Sequence, residues 1–163
     1  MHLAIALWVL VASIIRGDWE NINKYYPTML YITSCNFLYE VIAHEKFYLW
    51  KLEPGGLNYL NTVLLHGGFI YPLSVLLFLS NYPTSRVRTV MHISKWVLIY
   101  IIVEYIGLKY EIITYHNGWN FWWSFFFVIH MLLMLRIHYI NIIWGITLTI
   151  PSVLFYMFTF NYF

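Results

Sequence analysis

The stretch WVLIYIIVEYIGLKYEIITYHNGWNFWWSFFFVIH, residues 96–130, decides the fold class. It reads as an apolar helix carrying one acid, Glu104, then the polar loop Tyr115-His116-Asn117-Gly118-Trp119-Asn120, then a second apolar helix carrying His130. A carboxyl group left charged in hydrocarbon costs several kcal/mol, so it must be neutralised or paired. Glu104 therefore needs a partner.

Working outward, the whole chain has the same character. Of its 163 residues 61% are hydrophobic and 10% charged, with a mean hydropathy of +0.67, whereas a soluble domain carries about 25% charged residues. Aromatic residues make up 21%, and many Trp and Tyr fall at the ends of apolar runs, where ring and polar tip both fit at headgroup level. The expected fold is an all-α, polytopic transmembrane helix bundle of about six helices, five if the first does not span, forming a single integral membrane domain over residues 1–163. A net charge of +2 without a basic block excludes nucleic-acid binding. A single cysteine, Cys35, excludes an intramolecular disulfide and a thiolate metal cluster, and reads as a small apolar residue on a helix.

Taken in order, Leu3 to Ile15 is a run of 13 uncharged residues, shorter than the ~20 that cross about 30 Å of hydrocarbon. With no basic residue before it and no small-x-small site after it, it reads as an uncleaved helix. Arg16 to Tyr26 is a polar connection, and Pro27 suits the first turn of a second helix running to about Ala43. Asn36, Glu40 and His44 stand four apart on that helix and share one face. Glu45 to Gly56 is a connection closed by Pro54-Gly55-Gly56, whose Phe47 to Trp50 segment is expected to lie in the membrane interface. Helix three covers about Asn58 to Leu79, again with Asn58, Thr62 and His66 at a spacing of four. Gly67-Gly68 allows a close helix contact, and Pro72 introduces a kink. Asn81 to Thr89 carries Arg86 and Arg88, and Pro83 can begin helix four, whose basic first turns sit at the membrane surface. Helix four reaches about Leu108, Lys109 to Gly118 is a loop, and helix five spans about Asn120 to Leu135, closed by Arg136 and His138. Helix six runs from about Ile140 to Tyr162, with Pro151 near its middle.

Alternate connections carry Arg16, Lys24, Arg86, Arg88, Lys95 and Arg136 on one side against Lys46, Lys51 and Lys109 on the other. The richer side is expected to be cytoplasmic, which leaves the C-terminus extracytoplasmic. Connectivity alone brings Glu40, His44, Asn58, Thr62, Glu104 and the His116 loop, with Asn117 and Asn120, to one membrane face. The helical rise sets Glu104 on the order of 6 Å inside its boundary, and His66 and His130 roughly 12 to 15 Å deeper. One wet pocket is the expectation, since ionisable residues in membranes face the bundle interior.

Each group has a plain use. Glu104 can be a protonated acid bonded to a neighbouring helix, His66 and His130 neutral imidazoles donating across helix contacts, and Asn117-Gly118 a turn. Three chemical readings stand beside it. A metal site, as in an intramembrane metal-dependent hydrolase using Glu and His, would draw on His44, Glu104 and His116, although no His-Glu-x-x-His pattern appears. Proton or ion movement would use Glu104. Serine chemistry lacks a Gly-x-Ser-x-Gly context at Ser34 and Ser124. Short connections favour a non-enzymatic assembly, sensing or accessory component with no cofactor. Its partners would be the lipid bilayer and another membrane protein or a second copy.

The Tyr25-Tyr26-Pro27-Thr28-Met29-Leu30-Tyr31 segment, Glu104, and the Tyr115 to Asn120 loop followed by Trp122 and Ser124 resemble an uncharacterised family of small multi-pass membrane proteins of endospore-forming Gram-positive bacteria. The resemblance covers most of Arg16 to His138, and its most specific part is the His-Asn-Gly-Trp-Asn run. It implies a bacterial plasma-membrane protein without an assigned activity, cofactor or substrate.

Overall fold

A computed structural model describes residues 1–43 and 47–162. Seven α-helices form among them: α1 (His2–Arg16), α2 (Ile22–Ala43), α3 (Tyr59–Leu65), α4 (Tyr71–Leu79), α5 (Arg86–Lys109), α6 (Phe121–Ile140) and α7 (Ile142–Thr159). A five-residue π-helical turn, His66–Ile70, welds α3 to α4, so the helices make six rods. The all-α fold expected from hydropathy is thus the observed one. Four rods, Tyr59–Leu79, Arg86–Lys109, Phe121–Ile140 and Ile142–Thr159, are long and apolar enough to cross a membrane. A fifth crossing follows if α1 and α2, bent by 89° across a short break, count as one. Alone, α1 is about 22 Å long, short of a full hydrocarbon layer.

Two helix boundaries differ from the sequence reading. The second helix begins at Ile22, which places Pro27 inside it rather than in its first turn. The connection before it is braced, because Asn21 and Tyr25 both donate to the Asp18 carboxylate and the Asp18 amide donates to Ser80 Oγ at 2.9 Å. Those donors, Asn21 first and then Tyr25, hold the Asp18 carboxyl below its ordinary range. The fifth helix continues through Arg136 and His138 to Ile140, since Arg136 packs its guanidinium over Tyr82, 4.1 Å from the ring centre, and His138 is buried against Thr28 and Tyr31. Asn141 then ends α6 and caps α7, its side chain accepting from the Trp144 amide.

The break expected at Pro72 takes a specific form. Proline has no N–H to give the preceding turn and crowds the carbonyl there, and the chain answers with the wider turn just before it, in which the Tyr71 amide reaches the His66 carbonyl. The Gly67 carbonyl accepts from Thr33 Oγ1 at 2.8 Å, and a Cβ on Gly67 would stand 2.5 Å from Asn36 Nδ2. Gly67 is the glycine that lets α2 approach. Gly68 faces open space.

The rod α3–α4 is innermost: 67% of its apolar window is buried, against 6% for α7. Leu76, Val75 and Phe78 on α4 pack with Leu132 and Leu135 on α6 in the largest core. Outward faces of the other rods carry large apolar side chains, among them Leu98 and Ile102 on α5 and Ile143, Ile146 and Ile150 on α7. Water would not tolerate so continuous an apolar belt, and hydrocarbon does.

Candidate functional site

One end of the bundle is closed by a two-stranded ribbon that hydropathy does not foretell. Strand β1 (Trp50–Leu52) pairs antiparallel with β2 (Ile113–Tyr115) in the register Trp50 to Tyr115, Lys51 to Thr114 and Leu52 to Ile113. The His116 amide to the Leu49 carbonyl and the Glu53 amide to the Ile112 carbonyl, both 2.8 Å, extend the ladder at its ends. Within the Phe47 to Trp50 segment, expected in the membrane interface, Leu49 is 3% exposed and Trp50 is in the ladder. The reason is backbone hydrogen bonding, which three extended residues obtain only by pairing.

Tyr39, on α2, locks the ribbon from below. Its hydroxyl accepts from the Leu49 and Trp50 amides and donates to the Trp50 carbonyl, while its ring stacks on Trp50 at 4.1 Å. Asn117 and Gly118 take positive φ values of 50° and 84°, the turn read from sequence, closed by the Trp119 amide on the His116 carbonyl. The Asn117 side chain donates to the Tyr48 carbonyl, and Asn120 caps α6 by accepting from the Trp122 and Trp123 amides. This loop delivers Trp119 into a buried aromatic cluster with Leu49 and Phe160.

The partner that Glu104 requires comes from the same loop. The Tyr115 hydroxyl donates to Glu104 Oε1 at 2.6 Å and lies 3.0 Å from Ser124 Oγ, which also accepts from Trp119 Nε1 at 2.7 Å. Burial first, and the Glu104 bond second, lift the Tyr115 phenol above its ordinary range. Glu40 is held in a similar way, accepting from the Tyr59 hydroxyl, which in turn lies 2.7 Å from the Tyr48 hydroxyl.

The other candidate residues separate by role. Asn58 caps α3 by accepting from the Asn61 amide, and the buried Thr62 hydroxyl donates back to the Asn58 carbonyl. His116 is exposed and meets the Thr114 hydroxyl, which also donates to Glu53. His130 lies 3.1 Å from Ser152 Oγ. His66 Nε2 meets His2 Nδ1 at 2.8 Å, and His2 Nε2 meets the Glu53 carbonyl at 2.8 Å. His44 lies outside the described residues.

A central cavity of about 330 Å³ is lined by residues of every rod, including His66, Glu104 and His130. Glu40, Asn58, Thr62, His116, Asn117 and Asn120 are not in its wall. Connectivity brings these groups to one end of the bundle, but they form several short networks. Among the described residues no three His, Cys, Asp or Glu side chains converge as a metal site, and Glu104 and His116 belong to different networks. Sequence reasoning missed His2, Tyr59 and Ser124 as partners. Of these only Ser124, four residues after Asn120 and so one turn into α6, carried a local signal. No family model, curated protein or solved structure matches the chain.

Proposed function

We propose that this multi-pass helical protein is a non-enzymatic assembly, sensing or accessory component, and the resemblance of its Tyr115 to Asn120 loop implies a bacterial plasma membrane as its setting. The observation that carries this reading is that Glu40 and Glu104 are each engaged by a tyrosine hydroxyl, within networks that fasten one end of the bundle. Acids used in this way are structural fasteners. A second reading, a small proton-coupled carrier subunit, draws support from Glu104 standing in the wall of the central cavity.

Two variants separate the readings. Gln keeps an oxygen that accepts from Tyr115, and Leu does not. A fastener predicts that Glu104→Leu loses about 1–3 kcal/mol of unfolding free energy in detergent while Glu104→Gln keeps most of it. Proton flux in liposomes is then the same for wild type and Glu104→Gln. Flux present in wild type and abolished by Gln establishes the carrier and removes the first reading.

The cation count argues for an orientation in which the ribbon end faces outward, with Arg86, Arg88 and Arg136 in the cytoplasm. A membrane-impermeant thiol reagent applied to intact cells is expected to label Asn117→Cys in a Cys35→Ala background. Labelling only after the cells are opened reverses the orientation.

A further inference from the structure

Among the described residues, three buried side-chain atoms lack a hydrogen-bond partner: Asn36 Nδ2, His66 Nδ1 and Trp96 Nε1. All three residues line the central cavity. Buried polar atoms are nearly always paired, so three orphans around one space point to something that enters it.

Their hydrogen-bonding character follows from the neighbouring contacts. The Glu53 carbonyl can only accept, so His2 carries its proton on Nε2 and offers a bare Nδ1. His66 Nε2 must then donate to that nitrogen, and in a neutral ring this leaves His66 Nδ1 as a naked acceptor. Asn36, whose amide lies against Gly67 Cα, brings a donor to the wall of the same cavity. His66 is 6% exposed, so its ring is reached only from the cavity side.

A hydroxyl answers either kind of atom, giving its proton to an acceptor such as His66 Nδ1 and accepting from a donor such as Asn36 Nδ2. A carboxylate has no proton to give, an ammonium has no lone pair to offer, and an alkane has neither. The cavity wall as a whole is mostly apolar, with Ile32, Ile70, Ile99 and Met131 among its residues. Trp96 Nε1 is a further donor for a second oxygen. A second cleft, between α2 and α7, shares Tyr31, Cys35 and Thr149 with the cavity and adds Ile150 and Leu154 from the exposed face of α7. It is bridged by the Tyr31 hydroxyl on Thr149 Oγ1 at 2.6 Å. A molecule dissolved in the hydrocarbon would meet that seam first.

We infer that the central cavity binds an uncharged, lipid-soluble alcohol, entering from the bilayer between α2 and α7, with its hydroxyl held by Asn36 and His66. This goes beyond the function proposed above and needs only that lipid surrounds the helices, so failure of the flux or Glu104 experiments leaves it standing. The probe is a diazirine-bearing dodecan-1-ol, photolysed with the full chain in phosphatidylcholine nanodiscs. Label is expected on α2 and α4 peptides, competed roughly tenfold better by dodecan-1-ol than by dodecane or dodecanoate, and reduced roughly tenfold in Asn36→Leu, which corresponds to about 1.4 kcal/mol of binding.

A second readout uses wild-type protein alone: the ¹⁵N resonance of His66 Nδ1 shifts on saturation with dodecan-1-ol and stays fixed with dodecane. Equal competition by dodecane, wild-type labelling of a folded Asn36→Leu, label confined to the outward face of α5, or an unmoved His66 resonance overturns the inference.

Discussion

Replacing Tyr39 by phenylalanine lowers the unfolding free energy by at least about 2 kcal/mol, although the change removes a single oxygen. The ring and its stack on Trp50 survive the substitution. What is lost is the acceptor for the Leu49 and Trp50 amides, 3.1 and 3.0 Å away, and the donor to the Trp50 carbonyl. Orphaned buried backbone groups cost about 1–3 kcal/mol each, and part of that is recovered where water reaches Trp50, which is half-buried. Reversible unfolding in mixed micelles, followed by far-UV circular dichroism, measures the loss. An unchanged midpoint would mean that the ribbon holds itself without α2.

Trp119→Ala has the larger effect, about 3–5 kcal/mol, in the range of buried aromatic truncations. Trp119 is 5% exposed and its ring lies within 4.8 to 6.3 Å of those of Trp50, Trp123, Phe127, Tyr156 and Phe160. It therefore joins β1, the start of α6 and the end of α7. Removing it also strips Ser124 Oγ of the indole donor and loosens the support under the Tyr115 to Glu104 bond. Trp119→Phe keeps much of the packing but not the indole N–H, so it should fall between the two. If both variants melt like wild type, the aromatic cluster is not what closes this end of the bundle.

The features legible in sequence are those whose cause is local. Apolar run lengths located the rods, the Asn-Gly pair announced a turn, and Pro72 announced a break whose π-helical form became visible only in three dimensions. Boundaries slipped where a distant group decided them, as at Ile22, where Asp18 and Ser80 extend the organised backbone, and at Ile140, where Arg136 and His138 find aromatic neighbours. The ribbon was invisible because strands of three residues carry no readable period and their partners stand 61 to 65 positions apart. The same holds for His2 and His66, 64 positions apart. Depth along the helices was predictable from rise per residue. Rotation about each helix axis was not, which is why Glu40 and Glu104 each turned out to be bonded to its own tyrosine.

The pairing of Trp50 with Tyr115 also dictates an order of biogenesis. While a ribosome is still making the early crossings, the polar backbone of residues 50–52 has no complement, and it acquires one only after translation has passed residue 115. Until that moment the nascent chain must keep this segment in water or in the care of the insertion machinery. An early-made and a late-made stretch of chain are thus clasped only in the second half of synthesis.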